Sequence, residues 1–252
     1  MTASASIQEY LEALYKLTGG DADHVVSTTE LAAQMSVSAP SASEMLRRLE
    51  HLGLVAYLPY QGASLTRRGV DEGSRVVRYH RLWERMLVDA LAMSWDEVHD
   101  EACRLEHATS PRLAEALSRF LDHPTTCPHG YAVPAETDRP HASDQEDPSV
   151  ALLDAPTGFS GHVVSVAEEP ELLKYCAGVG LVPGARVEVV HVHPLDELVE
   201  VAVRDIPAAS SGGDGDKGGS GKGSRSGGRL TVGARVGRLV RVVGDAGIES
   251  HP

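Results

Sequence analysis

Between Trp95 and Ser110 the chain reads WDEVHDEACRLEHATS. On a helix, Cys103, Glu106 and His107 stand at i, i+3 and i+4, with His99 one turn earlier, so all four side chains share one face. A thiolate, a carboxylate and imidazoles converging there are the ligand types of a transition-metal ion. His80 and Glu84 repeat the logic upstream at i, i+4, and Glu9 and Glu12 form a third cluster at i, i+3. Any one of these pairs alone is more often a solvated helix face. The sequence has no His-Glu-x-x-His of the zinc-protease type, so a metal-dependent hydrolase is a weak alternative.

What raises the odds for metal is the company these residues keep. Ile7, Leu11 and Leu14 mark the inner face of an opening helix. STTELAAQMSVSAPSASEMLRRLEHLGLV then reads as two helices joined by a tight turn at Ser36-Val37-Ser38. Thr28 or Thr29 is expected to cap the first, and Pro40 suits the first turn of the second. Met45, Leu46 and Leu49 face inward, and Gly53 ends the helix. LVAYLPYQGASLTRRG follows as two short strands around Gln61-Gly62. Helix, turn, helix and hairpin in this order describe a winged helix-turn-helix over residues 1–72.

Composition is compatible with that reading. The net charge of −13 opposes indiscriminate nucleic-acid binding. The charge is uneven, however: residues 36–81 hold seven Arg against four acids, while 83–252 hold fifteen Lys and Arg against twenty-seven. A locally basic module inside an acidic chain can still meet phosphate. Three scattered cysteines do not make a disulfide framework. With no apolar run of membrane-span length and no signal pattern, the expectation is a soluble, cytoplasmic chain.

Residues 73–136 read as helices broken at Ser94-Trp95-Asp96, the last of them capped by Ser110 with Pro111 at its first position. Such short helices suit a dimer interface. An acidic, Pro-rich linker is expected at 137–150. From 151 to 246, GHVVSVA, ARVEVVHVH, ELVEVAV and RLVRVVG alternate as half-buried strands do, interrupted by one helix at PELLKYCAGVG. They predict a small SH3-like β-barrel carrying a disordered Gly/Ser-rich insertion at about 209–228. His191 and His193 alternate with Val and are expected to face water; Cys176 is expected to be buried. The fold class is mainly α with small β.

RYHRLWERML and WDEVHDEACRLEHATS, supported by CPHG at Cys127–Gly130 and LLKYCAGVGLVPG, carry a family resemblance. The chain resembles the metalloregulators that comprise the iron-dependent diphtheria-toxin repressors and the manganese transport regulators. The resemblance implies a winged helix, a metal-binding dimerisation domain and an SH3-like (FeoA-like) domain, and a metal-activated transcriptional repressor rather than an enzyme. It implies primary ligands at Glu106 and His107, with Cys103 as in the iron branch and Glu9 and Glu12 closer to the manganese branch. His80, Glu84 and His99 would form an ancillary site. Cys127 and His129 match a secondary-site pair completed by an acidic residue, here Glu168 or Glu171.

This hybrid donor set leans to Mn(II), with Fe(II) next and Zn(II) or Co(II) as surrogates. The implied partners are a second copy of the chain and double-stranded, pseudo-palindromic operator DNA, with two dimers per operator a further expectation and no membrane. Candidate DNA contacts are Thr28, Ser38, Pro40, Ser41, Ser43, Glu44, Arg47, Arg48 and Gln61; a carboxylate at Glu44 would accept from cytosine N4. A redox switch at Cys103 is the competing regulatory reading.

Overall fold

Helix α1, Ala5–Thr18, buries Ile7, Leu11 and Leu14 along one stripe and stops at Gly19, whose φ of 64° is left-handed. The protein is described by a computed structural model covering residues 4–135, 148–207 and 228–245. The expected linker at 137–150 therefore lies outside the described residues except at its last three positions, and the insertion at about 209–228 lies outside them except for Gly228.

Helix α2, Thr28–Gln34, is capped by Ser27 rather than by Thr28 or Thr29. Ser27 is the last residue with extended backbone, and its hydroxyl accepts from the Glu30 N–H at 3.1 Å; Thr28 is already helical. Helix α3, Ala39–His51, starts with the Ser38 hydroxyl accepting from the Ser41 N–H at 3.3 Å, and Pro40 fits its first turn. Strands β1, Val55–Leu58, and β2, Gly62–Leu65, pair antiparallel as the wing. Val26 and Ala63 exchange two backbone hydrogen bonds of 2.9 Å, which hold the wing to the segment before α2. Gly62 is required there: a Cβ would lie 2.1 Å from the Val26 carbonyl oxygen.

The chain forms two compact units. The first takes the described parts of residues 1–83, 103–120 and 133–145. Its core joins Leu11, Leu14, Leu31, Leu46, Leu49 and Leu65, all buried. Each such side chain contributes roughly 1.5–3 kcal/mol by leaving water. Helices α4, Arg67–Asp89, and α5, Val98–Glu106, each give residues to both units. Helix α6, Pro111–Phe120, belongs to the first, its Leu113 N–H donating to the Ser110 hydroxyl.

The second unit takes residues 84–102 and 121–132 and the described parts of 146–252. Strands β3, Val150–Ala151, β4, Ser160–Val166, β5, Arg186–His193, β6, Leu198–Arg204, β7, Arg229–Gly233, and β8, Val240–Gly244, form one antiparallel sheet in the order β3-β8-β4-β5-β6-β7. The expected barrel is thus an open sheet among the described residues, with β3 and β7 at its edges. Helix α7, Pro170–Val179, matches the expected interruption. Helix α8, Ala234–Leu239, was not foreseen, because six residues are too few for a periodicity to stand out. Trp95, Leu173 and Cys176 pack with the inward valines of β4, β5, β6 and β8.

Candidate metal centre

In the first unit, three elements converge on one buried cluster. Helix α1 brings Glu12, placed one residue after Leu11 so that the packing of its apolar stripe also draws it inward. Helix α4 brings His80, which is fully buried, and α5 brings Cys103 and Glu106. The donor atoms of Glu12, His80 and Glu106 all lie within 4.8 Å of one another. His80 Nδ1 is 2.7 Å from Glu106 Oε2 and 3.8 Å from Glu12 Oε1. Cys103 Sγ lies 3.8 Å from the same nitrogen.

His107 sits just beyond α5, with Nε2 3.4 Å from Glu106 Oε1 and 3.7 Å from Glu9 Oε1. Glu9 is exposed and stands outside the tight trio. Sequence reasoning missed Gln8, a buried amide whose Oε1 is 2.8 Å from His107 Nδ1. The available signal was its position one helical turn before Glu12.

Burial pushes the Glu106 carboxyl up to about 8, against the pull of its His80 hydrogen bond. Burial also works to raise Glu12, but the Lys16 ammonium, 3.0 Å away, and His80 outweigh it and hold that carboxyl below its ordinary value. Two buried carboxylates, an imidazole and a nearby thiol are donors suited to a divalent cation of the Mn(II) and Fe(II) class, which would offset charge that water no longer solvates. The residues present fit such an ion.

A second cluster lies in the second unit. Glu84, Cys127, His129 and Glu168 place their donor atoms within 4.8 Å of one another. His129 Nδ1 is 3.1 Å from Glu84 Oε1. His99 Nδ1 is 3.6 Å from Glu84 Oε1 and 3.9 Å from Glu168 Oε2. Burial by itself lowers the His129 pKa, yet the Glu84 charge overrides it and raises it well above the ordinary value. The Cys127 thiol is pushed up by burial, then by Glu84.

Of the two carboxylates expected here, Glu168 is the one in the cluster. Glu171 falls in the first turn of α7 and is exposed, because Pro170 starts the helix and turns that position outward. Of the expected ancillary residues, Glu84 and His99 lie together in the second unit, and His80 belongs to the first.

On α3, Ser38, Pro40, Ser41, Glu44, Arg47 and Arg48 are exposed along one side, while Ala42, Leu46 and Leu49 are buried on the other. Ser43 and Thr28 are half-buried, and Gln61 is exposed in the wing turn. An exposed, capped helix with two arginines near its C-terminal half presents donors and acceptors that a duplex groove can read.

Three family descriptions match successive parts of the chain: the N-terminal DNA-binding domain of iron-dependent repressors over residues 2–63, their metal-binding and dimerisation domain over 66–135, and the FeoA domain over 150–209. The iron-dependent repressor IdeR of Mycobacterium leprae is 35% identical over 168 residues, covering 63% of this chain and 73% of that one. The chain belongs to the iron-dependent repressor family. The diphtheria toxin repressor of Corynebacterium efficiens is 30% identical over 191 residues, covering 72% of this chain and 81% of the other. Among solved structures, a manganese-dependent transcriptional repressor in complex with manganese is similar at 30% identity and a TM-score of 0.75, covering 94% of this chain and 99% of that one. The family's DNA-binding and dimerisation domains are thus both present in this member.

Proposed function

We infer that the chain is a DNA-binding transcriptional repressor, activated by Mn(II) or Fe(II), that acts as a cytoplasmic homodimer on genes of metal-ion homeostasis. One observation carries the reading. Helix α1, inside the matched DNA-binding segment, sends Glu12 into the same buried cluster as His80 and Glu106 of the matched metal-binding and dimerisation segment.

Glu12, His80, Glu106 and Cys103 would hold the ion, with Glu9 and His107 beside them. Bound there, the cation supplies the positive charge that two desolvated carboxylates call for. The chain's own residues do the rest. Helix α1 buries Leu11 and Leu14 in the core that also holds Leu46 and Leu49 of α3, so the orientation of α1 is passed to the reading helix. Fixing Glu12 against α4 and α5 therefore favours one arrangement of the reader, by as much as the two arrangements differ in metal affinity. In a symmetric dimer the two α3 helices then meet the half-sites of a pseudo-palindromic operator at one spacing.

Oxygen and nitrogen donors dominate this cluster, which favours Mn(II), with Fe(II) next; the similarity to a manganese-dependent repressor supports the same order. Glu84, Cys127, His129 and Glu168, with His99 beside them, would form a second metal site. Ser38, Pro40, Ser41, Ser43 and Glu44 would approach base edges, while Arg47 and Arg48, with Thr28 and Gln61, would hold the backbone. Two dimers per operator complete the reading.

The test is fluorescence anisotropy of an operator duplex under reducing conditions, with and without Mn(II). Metal-dependent tightening at a stoichiometry of two or four chains per duplex supports it. Equal affinity in both states ends it, and loss of binding only on thiol oxidation points instead to a redox switch at Cys103.

A further inference from the structure

Strand β5 changes which face its side chains use. Val187 and Val189 are buried, whereas Arg186 and Glu188 are exposed, as alternation requires. The pairing with β6 then slips: Val189 is opposite Val201, but His191 is opposite Glu200, leaving Val190 as the extra residue of a β-bulge. A bulge shifts the parity of everything after it. Without this one, His191 and His193 would continue the inward series of Val187 and Val189. With it, Val192 turns toward the core, packing against the valine cluster, and both histidines stand on the outer face.

On β6, Val199 and Val201 point inward, so Glu200 shares that outer face and lies directly across from His191. His193 Nε2 is 2.9 Å from Glu200 Oε1. The two imidazole rings meet edge to face with centroids 4.5 Å apart.

We propose that His191, His193 and Glu200 form a further transition-metal site on the outer face of this sheet, made by the bulge at Val190. Histidines at i and i+2 on one strand reach a common point above the sheet, and a cross-strand carboxylate closes a third side. Neutral imidazole nitrogens outnumber oxygens here, so the site selects Zn(II), Ni(II) or Cu(II) rather than Mn(II) or Fe(II). His191 is exposed, its ring would turn toward the Glu200 carboxylate on binding, and entry of the ion would replace the hydrogen bond between His193 and Glu200. The remaining coordination positions open to water, as an exchangeable rather than a closed structural site requires. The site is independent of the two clusters above: it shares no residue with them.

Equilibrium dialysis of the full chain against micromolar Zn(II), in the presence of a non-thiol reductant, tests this. The His191→Ala/His193→Ala double variant is expected to bind one Zn(II) fewer per chain than the wild type, with an unchanged melting temperature before metal is added. Glu200→Gln keeps both imidazoles and is expected to weaken the same ion on the order of tenfold or more. In the wild type, once the two buried clusters are filled, the side-chain nitrogen resonances of two surface histidines should shift together over the next equivalent. Equal Zn(II) stoichiometry and affinity in wild type and double variant overturn the proposal.

Discussion

The backbone carbonyl of Trp95 lies 2.7 Å from His129 Nε2. A carbonyl only accepts, so Nε2 carries a proton and Nδ1 is the nitrogen presented to Glu84, 3.1 Å away. Because the partner is backbone, no neighbouring ionisation alters this orientation. The Trp95 ring also lies against the imidazole, with centroids 5.5 Å apart. His129 is thereby held in one pose before any ion arrives.

The same loop depends on Gly130. Its φ is +92°, and a Cβ there would stand 1.8 Å from the Val164 carbonyl oxygen. The His129 carbonyl meanwhile accepts from the Val166 N–H at 3.1 Å, tying the loop to β4. Gly130→Ala should therefore displace Cys127 and His129 together. In a Cys103→Ser background, where Cys127 is the thiol available to this cluster, the Co(II)–thiolate absorption band should weaken by about tenfold or more in apparent affinity. An unchanged Co(II) titration would show that the loop does not position these ligands.

Glu106→Gln separates folding from sensing. The carboxyl is buried and pushed up to about 8, so it is largely protonated at pH 7 without metal, and a neutral amide of the same shape costs the metal-free fold little. The variant should melt no lower than the wild type without metal, yet need at least about a hundredfold more Mn(II) to bind operator, on the scale of losing roughly 3 kcal/mol from the ion's site. Thermal denaturation and metal-titrated anisotropy give the two readings.

Arg47 is exposed on the reading face of α3 and belongs to the phosphate-holding part of the proposed interface. Arg47→Ala should weaken operator and unrelated duplex alike and reduce the salt slope of log K by about 0.9. Glu44→Gln should instead change base preference at one position while leaving that slope unaltered. Binding measured across a salt series and a set of single-substituted duplexes distinguishes them.

Cys176 gives a pH dependence. Buried in the second core, its thiol is pushed up to about 12 by burial. An unfolded cysteine ionises near 8.5. Between these values the native chain keeps a proton that the unfolded chain has lost, so native stability falls as pH rises. The decline from this residue reaches up to about 1.4 kcal/mol per pH unit. Cys176→Ala should be less stable at pH 7 through its cavity but lose stability more slowly above pH 9, as urea midpoints from pH 7 to 11 would record.

The helical frame was legible because its apolar residues recur at helical spacing and its ends carry Ser, Pro and Gly. The clustered side chains of α4 and α5 were legible for the same reason: spacing on a helix fixes a shared face. Residues brought together across elements were harder to find. Gln8 looks like any solvated amide until α1 is seen packed in the first unit. Glu168 and Glu171 differ by three positions, and only the start of α7 at Pro170 puts one inside and the other out. Alternation suggested that His191 and His193 face water, but the bulge that makes them do so depends on pairing with β6, which one strand's sequence does not contain. Whether a set of short strands closes into a barrel is likewise a property of their pairing rather than of any one of them.

The central claim is that the DNA-binding segment itself supplies a ligand, so that one ion ties α1 to α4 and α5. Crystals grown with Mn(II) and measured by anomalous diffraction at the manganese edge test it most directly. The expected result is a peak bonded by Glu12 of α1 together with His80 and Glu106. A peak coordinated without any atom of α1, or no peak between these side chains in crystals that hold manganese elsewhere, would contradict it.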